Sequence, residues 1–151
     1  MPNKFDLIVI GAGPGGYVAA IRAAQLGLKV ACVDKRTTLG GTCLNVGCIP
    51  SKALLSASKK FADTSTNLSE YGIEVSGVSL NLKKMLAKKD DIVKELTRGV
   101  EFLLKKNKIT WVLGTAKIYS SSKVEVTAED GSKLVFDTSK ILIATGSEPT
   151  P

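Results

Sequence analysis

Four consecutive apolar residues, Leu7-Ile8-Val9-Ile10, stop abruptly at Gly11 and complete a segment that begins at Phe5. A short apolar run without alternation, bounded by glycine, predicts a parallel strand buried on both faces. From Pro14 to Leu26 the composition turns to Ala, Ile, Arg and Gln, and Gly27 follows as a stop, which predicts a helix. Lys29 to Asp34 again reads as a strand. This β-α-β unit occupies about thirty residues, and the right-handed crossover rule makes its two strands parallel neighbours.

After a Gly-rich turn, a helix is predicted from Cys48 to about Thr64, then a polar loop with Asn67, Ser69 and Gly72. Leu82, Met85, Leu86, Ile92, Val93, Leu96, Val100, Leu103 and Leu104 form one apolar stripe at helical spacing, predicting a helix of roughly 25 residues that packs on the domain or on a partner subunit. Ile109 to Leu113 resembles a further buried strand. Lys117 to Phe136 predicts two or three shorter strands in an antiparallel meander, with Asp130-Gly131 as a hairpin signal. Ile141 to Ala144 is a last buried strand, followed by Thr145-Gly146-Ser147 and the prolines Pro149 and Pro151. The expected class is therefore α/β, a parallel sheet plus a small antiparallel meander. The whole chain, 1–151, is read as one domain.

Composition narrows the function classes. The 151 residues are 44% hydrophobic and 23% charged, enough for one domain with a real core. No apolar run approaches the roughly 20 residues of a membrane span. Met1 lies just ahead of the first strand, leaving no room for a signal or transit peptide, so a cytoplasmic setting is the expectation. Lysine and arginine exceed acidic residues by 21 to 14. The excess gathers in Lys83, Lys84, Lys88, Lys89, Lys94, Arg98, Lys105, Lys106 and Lys108, interleaved with apolar residues, and only 5% of residues are aromatic. That describes a solvated helix face rather than a nucleic-acid surface. Three cysteines without a histidine argue against a structural zinc site, and no metal is expected.

Gly11-Ala12-Gly13-Pro14-Gly15-Gly16 fits G-x-G-x-x-G, a weak pattern on its own. Its context strengthens it, since it follows a strand, opens a helix, and has Asp34 at the end of the second strand. Gly11 permits the tight turn, Gly13 lets the backbone approach a pyrophosphate, and Gly16 allows close helix–strand packing. The plainer alternative, a glycine turn serving only chain reversal, leaves Asp34 unexplained. An acid there binds ribose hydroxyls and disfavours a 2′-phosphate, so FAD or NAD is expected before NADP, and the motif does not choose between them.

Cys43 and Cys48 lie in Gly40-Gly41-Thr42-Cys43-Leu44-Asn45-Val46-Gly47-Cys48-Ile49-Pro50-Ser51-Lys52. In a regular helix, residues five apart are separated by about 7.5 Å along the axis and about 140° around it, beyond disulfide reach. The segment must be distorted if the two bridge, and Gly47 and Pro50 are the residues that supply such a distortion. A helix starting near Cys48 would aim its positive end at that sulfur and favour a thiolate, with Lys52 a turn later adding a cation. The alternative is two small buried residues that happen to be cysteines. Cys32, inside the second strand, is expected in the core.

With these blocks in view, the sequence resembles the pyridine nucleotide-disulfide oxidoreductases, and among them the dihydrolipoamide dehydrogenases. The likeness rests on Gly11 to Gly16, on the cysteine block through Lys52, and on Ala144-Thr145-Gly146-Ser147. It implies a Rossmann-like FAD-binding domain, incomplete relative to the whole enzyme, whose first motif holds FAD. Asp34 to Cys43, including Lys35, Arg36, Gly40, Gly41 and Thr42, would line the adenosine and flavin path. Lys52 would sit near the reactive flavin nitrogen, Gly114, Thr115 and Ala116 would face adenine, and Thr145 to Ser147 would cover the cofactor. Cys43 would be the interchange thiol and Cys48 the thiolate against the flavin, passing electrons from dihydrolipoamide to FAD and on to NAD. The implied partners are the lipoyl domain of a 2-oxo-acid dehydrogenase complex or of the glycine cleavage system, and a second subunit in a homodimer. The family commonly has Glu at the position of Asp34 and Gly at that of Ala116. Its histidine–glutamate base, NAD-binding domain and dimerisation domain find no counterpart here, so this chain is expected to be inactive alone. A mercuric reductase-like enzyme and a non-catalytic dinucleotide-binding module are the rival readings.

Overall fold

The computed structural model describes residues 3–66, 68–148 and 150. Met1, the loop residue Asn67 and the prolines Pro149 and Pro151 lie outside the described residues. The elements run β1 (Lys4–Ile10), α1 (Pro14–Gln25), β2 (Val30–Asp34), α2 (Gly41–Asn45), α3 (Cys48–Thr66), a 3-10 turn (Leu68–Tyr71), α4 (Leu82–Lys106), β3 (Thr110–Leu113), β4 (Thr115–Ser120), β5 (Lys123–Thr127) and β6 (Lys133–Ile143).

One six-stranded sheet has the order β3-β2-β1-β6-β5-β4. β3, β2, β1 and β6 are parallel, with Ile8 opposite Ala31 on one side and Ile141 on the other. β4, β5 and β6 form the antiparallel meander. The unbroken apolar runs explain themselves in the packing, because alternate residues of each strand enter two different cores. Val9, Val30, Cys32 and Trp111 face a cluster closed by Ala20 and Ala23 of α1 and by Val100 and Leu104 of α4. Ile8, Ile10, Ala31, Val33 and Val112 face a second cluster closed by Val124, Val126 and Phe136 of the meander. The result is helices on one face of the parallel strands and a meander on the other, the α/β expectation in detail.

Three expectations change. The sequence pattern puts Phe136 and Ile141 in separate strands, yet both belong to β6. The polar stretch Asp137-Thr138-Ser139-Lys140 resembles a turn, but its backbone is paired from both sides. Asp137 N–H donates to Asn3 O at 2.8 Å, Thr138 N–H donates to Ser122 O at 2.9 Å, and Thr138 is buried. The Gly-rich turn contains the short helix α2, and the polar loop contains the 3-10 turn. The stripe on α4 is buried only at its C-terminal end, at Val100 and Leu104 together with Thr97. Leu82 and Leu86 stay exposed, although α4 as a whole packs against α3. Asn81 caps α4, its side-chain oxygen accepting from Lys84 N–H at 2.9 Å. Asp130-Gly131 does turn the hairpin between β5 and β6, with Ser132 N–H donating to the Asp130 carboxylate at 2.9 Å.

Candidate functional site

The C-terminal ends of the parallel strands open onto a cleft of about 510 Å³, within the range of small-molecule sites. The strand order changes direction between β1 and β6, and the cleft lies outside those strand ends, where open α/β sheets leave a crevice.

Glycine builds its back wall. Gly11 has φ +100°, and a Cβ there would lie 2.3 Å from Ala144 O. Gly16 has ordinary backbone angles, but a Cβ would lie 1.8 Å from Gly11 O, so α1 sits against the end of β1 only because no side chain intervenes. At Gly13 a Cβ would meet only Gly41 Cα, at 3.8 Å, which leaves the backbone open to a ligand. The two glycine turns abut, since a Cβ on Gly41 would lie 2.6 Å from Gly13 Cα. Gly40 N–H donates to Ala12 O at 2.9 Å and ties the cysteine-bearing segment to this turn.

Asp34 fastens the same region from the second strand. Its Oδ2 accepts from Ala12 N–H at 2.6 Å and its Oδ1 from Arg36 N–H at 2.9 Å. A carboxylate has about four acceptor positions, so both oxygens retain capacity for further donors. Lys35 and Arg36 continue this wall, and the Lys35 ammonium lies 3.4 Å from Glu148, across the cleft mouth. Gly114, Thr115 and Ala116 bring in the β3–β4 junction, and Ala144, Thr145, Gly146 and Ser147 form the opposite lip.

Gly11, Gly13, Pro14, Gly41, Thr42 and Cys43 therefore join Asp34, Lys35, Arg36 and the two late segments around one cleft. Gly16 and Gly40 support the wall from behind, and Gly15 is exposed outside the lining. Cys48 and Lys52 lie on α3, beyond the lining. Sequence reading missed Ile10 and Val33, whose signal was their position as last apolar residues of their strands, and Glu148, for which there was none.

The cysteine segment is interrupted as bridging would require. α2 ends at Asn45 and α3 begins at Cys48, with Val46 and Gly47 between. Val46 and Gly47 N–H both donate to Thr42 O, at 3.0 and 2.8 Å, and a Cβ on Gly47 would press on that oxygen at 3.1 Å. Gly47 thus serves close approach rather than an unusual φ. Pro50 falls in the first turn of α3, where a missing N–H costs nothing.

All three cysteines are thiols in the structure. The Cys43 thiol is held above its ordinary value, chiefly by a hydrogen bond with the Cys48 thiol and then by desolvation, while the Lys52 ammonium acts in the opposite direction. The three side chains thus form one electrostatic group. Cys32 is buried in the core, as expected, and burial, then Asp34, pushes its thiol up to about 12. Among the described residues, no three His, Cys, Asp or Glu side chains gather as a metal site, and no helix is long and apolar enough to cross a membrane.

Comparison with known proteins agrees with this geometry. The family model described as pyridine nucleotide-disulphide oxidoreductase matches residues 5–151. Dihydrolipoyl dehydrogenase 3 of Pseudomonas putida is 55% identical over 150 residues, covering 99% of this chain and 32% of that protein. The mitochondrial dihydrolipoyl dehydrogenase of Bos taurus is 56% identical over 151 residues, covering 99% and 30%. Leghemoglobin reductase of Vigna unguiculata is 53% identical over 146 residues, covering 97% and 28%. The chain thus spans about a third of the length of these curated relatives.

Proposed function

The chain belongs to the pyridine nucleotide-disulphide oxidoreductase family, and from that premise we propose that it is the FAD-binding, redox-dithiol part of a dihydrolipoyl dehydrogenase. The observation that carries the reading is the double membership of Cys43, which lines the dinucleotide cleft and whose thiol is raised chiefly by the neighbouring Cys48. A nucleotide domain without redox chemistry has no use for a thiol at its cleft wall with a second thiol beside it.

The site fits FAD. Gly11 and Gly16 bring the turn close to α1, Gly13 leaves the backbone open to a pyrophosphate, and the positive end of α1 lies beside it. Asp34 has acceptor capacity left for ribose hydroxyls, and its charge opposes a 2′-phosphate. Gly114 to Ala116 would flank adenine, and Ala144 to Ser147 would cover the cofactor. When bound, FAD would supply a two-electron acceptor for the thiols.

In this reading Cys43 is the sulfur that exchanges with the lipoyl sulfurs of the substrate, and Cys48, at the head of α3, is the thiolate that passes electrons on to the flavin. Lys52 supports negative charge on the pair, in line with its influence on Cys43. The substrate would be dihydrolipoamide on the lipoyl domain of a 2-oxo-acid dehydrogenase complex or of the glycine cleavage system, with NAD the final acceptor. The whole enzyme would act as a cytoplasmic homodimer. The sequence contains no histidine, so a histidine base for the substrate thiol must come from outside these 151 residues, and the chain alone is expected not to turn over.

An absorbance spectrum of the chain with added FAD, before and after dithiothreitol, tests the proposal. The expected result is a bound-flavin spectrum that gains a broad long-wavelength band on two-electron reduction and loses it in Cys48→Ser. Tight flavin binding without the band would leave a non-redox nucleotide module, and folded protein that takes up no FAD would refute the cofactor assignment for this chain.

A further inference from the structure

We infer that Asn45, between the two cysteines, is the positioning residue of the thiol pair, clamping the short helix that carries Cys43 to the loop in front of it. The inference rests on the dithiol reading above and deepens it.

α2 has five residues, far below the roughly 12–15 at which an isolated helix is even marginal in water. It starts from Gly40, which offers no side-chain cap. Apart from the buried Leu44, its side-chain anchor is Asn45. The Asn45 Nδ2 donates to Gly41 O at 2.8 Å and to Leu39 O at 3.1 Å, and its Oδ1 accepts from Thr38 Oγ1 at 2.7 Å. Both amide hydrogens are used, and one bond reaches each of Thr38, Leu39 and Gly41. The span closed by these bonds contains Cys43, and Cys48 follows three residues later. No other residue type of this size supplies two donors and an acceptor in a single plane; aspartate keeps the shape but offers only acceptors.

The clamp raises the effective concentration of the Cys43 thiol at Cys48, so its loss should weaken disulfide formation without abolishing the fold. The test equilibrates the flavin-free 151-residue chain with mixtures of reduced and oxidised glutathione. Oxidised glutathione takes two electrons and two protons from the dithiol; the Cys43–Cys48 bond forms, both S–H bonds break, and two molecules of reduced glutathione leave. Remaining thiols are trapped and counted. The buried Cys32 reacts only on unfolding and so reports whether each variant is folded.

Asn45→Asp is expected to shift the equilibrium toward the dithiol about tenfold, which is about 30 mV for a two-electron couple, with Cys32 still protected. Thr38→Val, at an exposed position and removing one of the three bonds, is expected to shift it about threefold in the same direction. Identical equilibria in the parent chain and both variants would overturn the inference and leave the dithiol reading standing. A folded parent chain that never forms the disulfide would overturn both. If Asn45→Asp exposes Cys32, the Thr38→Val equilibrium decides alone, a shift supporting the clamp and no shift refuting it.

Discussion

Gly15 and Gly16 are neighbours in one motif, and alanine at each should have opposite effects. At Gly16 a Cβ would stand 1.8 Å from the carbonyl oxygen of Gly11 and 2.9 Å from its carbon. Backbone has no rotamer to yield, so α1 and the end of β1 must separate by roughly 1.5 Å to restore van der Waals contact. That separation loosens the packing of Ala20 and Ala23 against β1 and β2, both alanines being buried in the core. Overpacking of this kind costs about 1–3 kcal/mol. For a chain of this length the melting temperature should fall by about 4–8 °C for a ~2 kcal/mol loss. At Gly15 nothing lies within 4 Å of a Cβ and the residue is exposed in the helix. Alanine there should stabilise by about 0.5–1 kcal/mol through helix propensity, raising the melting temperature by roughly 1–4 °C. Thermal unfolding of the two variants and the parent, followed by far-ultraviolet circular dichroism and by the fluorescence of the single tryptophan, Trp111, measures the difference. Equal melting temperatures for Gly16→Ala and the parent, or a Gly15→Ala variant as damaged as Gly16→Ala, would show that the glycines are not read by backbone proximity.

Asp34→Asn leaves one acceptor oxygen for two backbone donors, Ala12 N–H and Arg36 N–H. A loss of about 1–3 kcal/mol is expected, with weakened FAD uptake in a fluorescence titration, and an unchanged melting temperature would contradict the fastening role. The Cys32 thiol is raised to about 12 in the fold from an ordinary value of 9.0. Between these pH values the unfolded chain loses a proton that the native chain keeps, so stability is intact below about pH 9 and falls by up to about 1.4 kcal/mol per pH unit above it. Cys32→Val should flatten that part of the alkaline denaturation profile relative to the parent, and parallel profiles would refute the assignment. Lys35 and Glu148 are 66% and 83% exposed, so Glu148→Gln should move the melting temperature by less than about 2 °C. A larger drop would mean that the pair braces the cleft.

Much of the site was readable because backbone constraints leave direct marks in sequence. A strand buried on both faces must be apolar throughout, so Leu7 to Ile10 announced itself. A turn in which helix and strand nearly touch must have glycine at Gly11 and Gly16, and Asp34 closes the unit at a fixed topological distance. The cysteine segment likewise exposed its need for a break between Cys43 and Cys48. Local pattern misled where hydrogen-bond partners come from remote segments. Asp137 to Lys140 looks like a turn and is strand, because Asn3 and Ser122 receive its amides. The apolar stripe of α4 does not tell which end meets the sheet, since Val100 and Leu104 are chemically no different from Leu82 and Leu86.

The residue types around the cleft, the glycine turns and the spacing of the thiols were thus determined by sequence alone, because each follows from what a few consecutive residues can do sterically. Tertiary structure decided which of them meet. It placed the Thr145 loop over the Gly11 turn through the pairing of β6 with β1, and it brought Glu148 to Lys35 across 113 positions of chain. It also turned the side chain of Asn45 back onto Thr38 and Leu39. Such contacts depend on register between distant strands and on side-chain direction, and neither is a property of any local stretch of sequence.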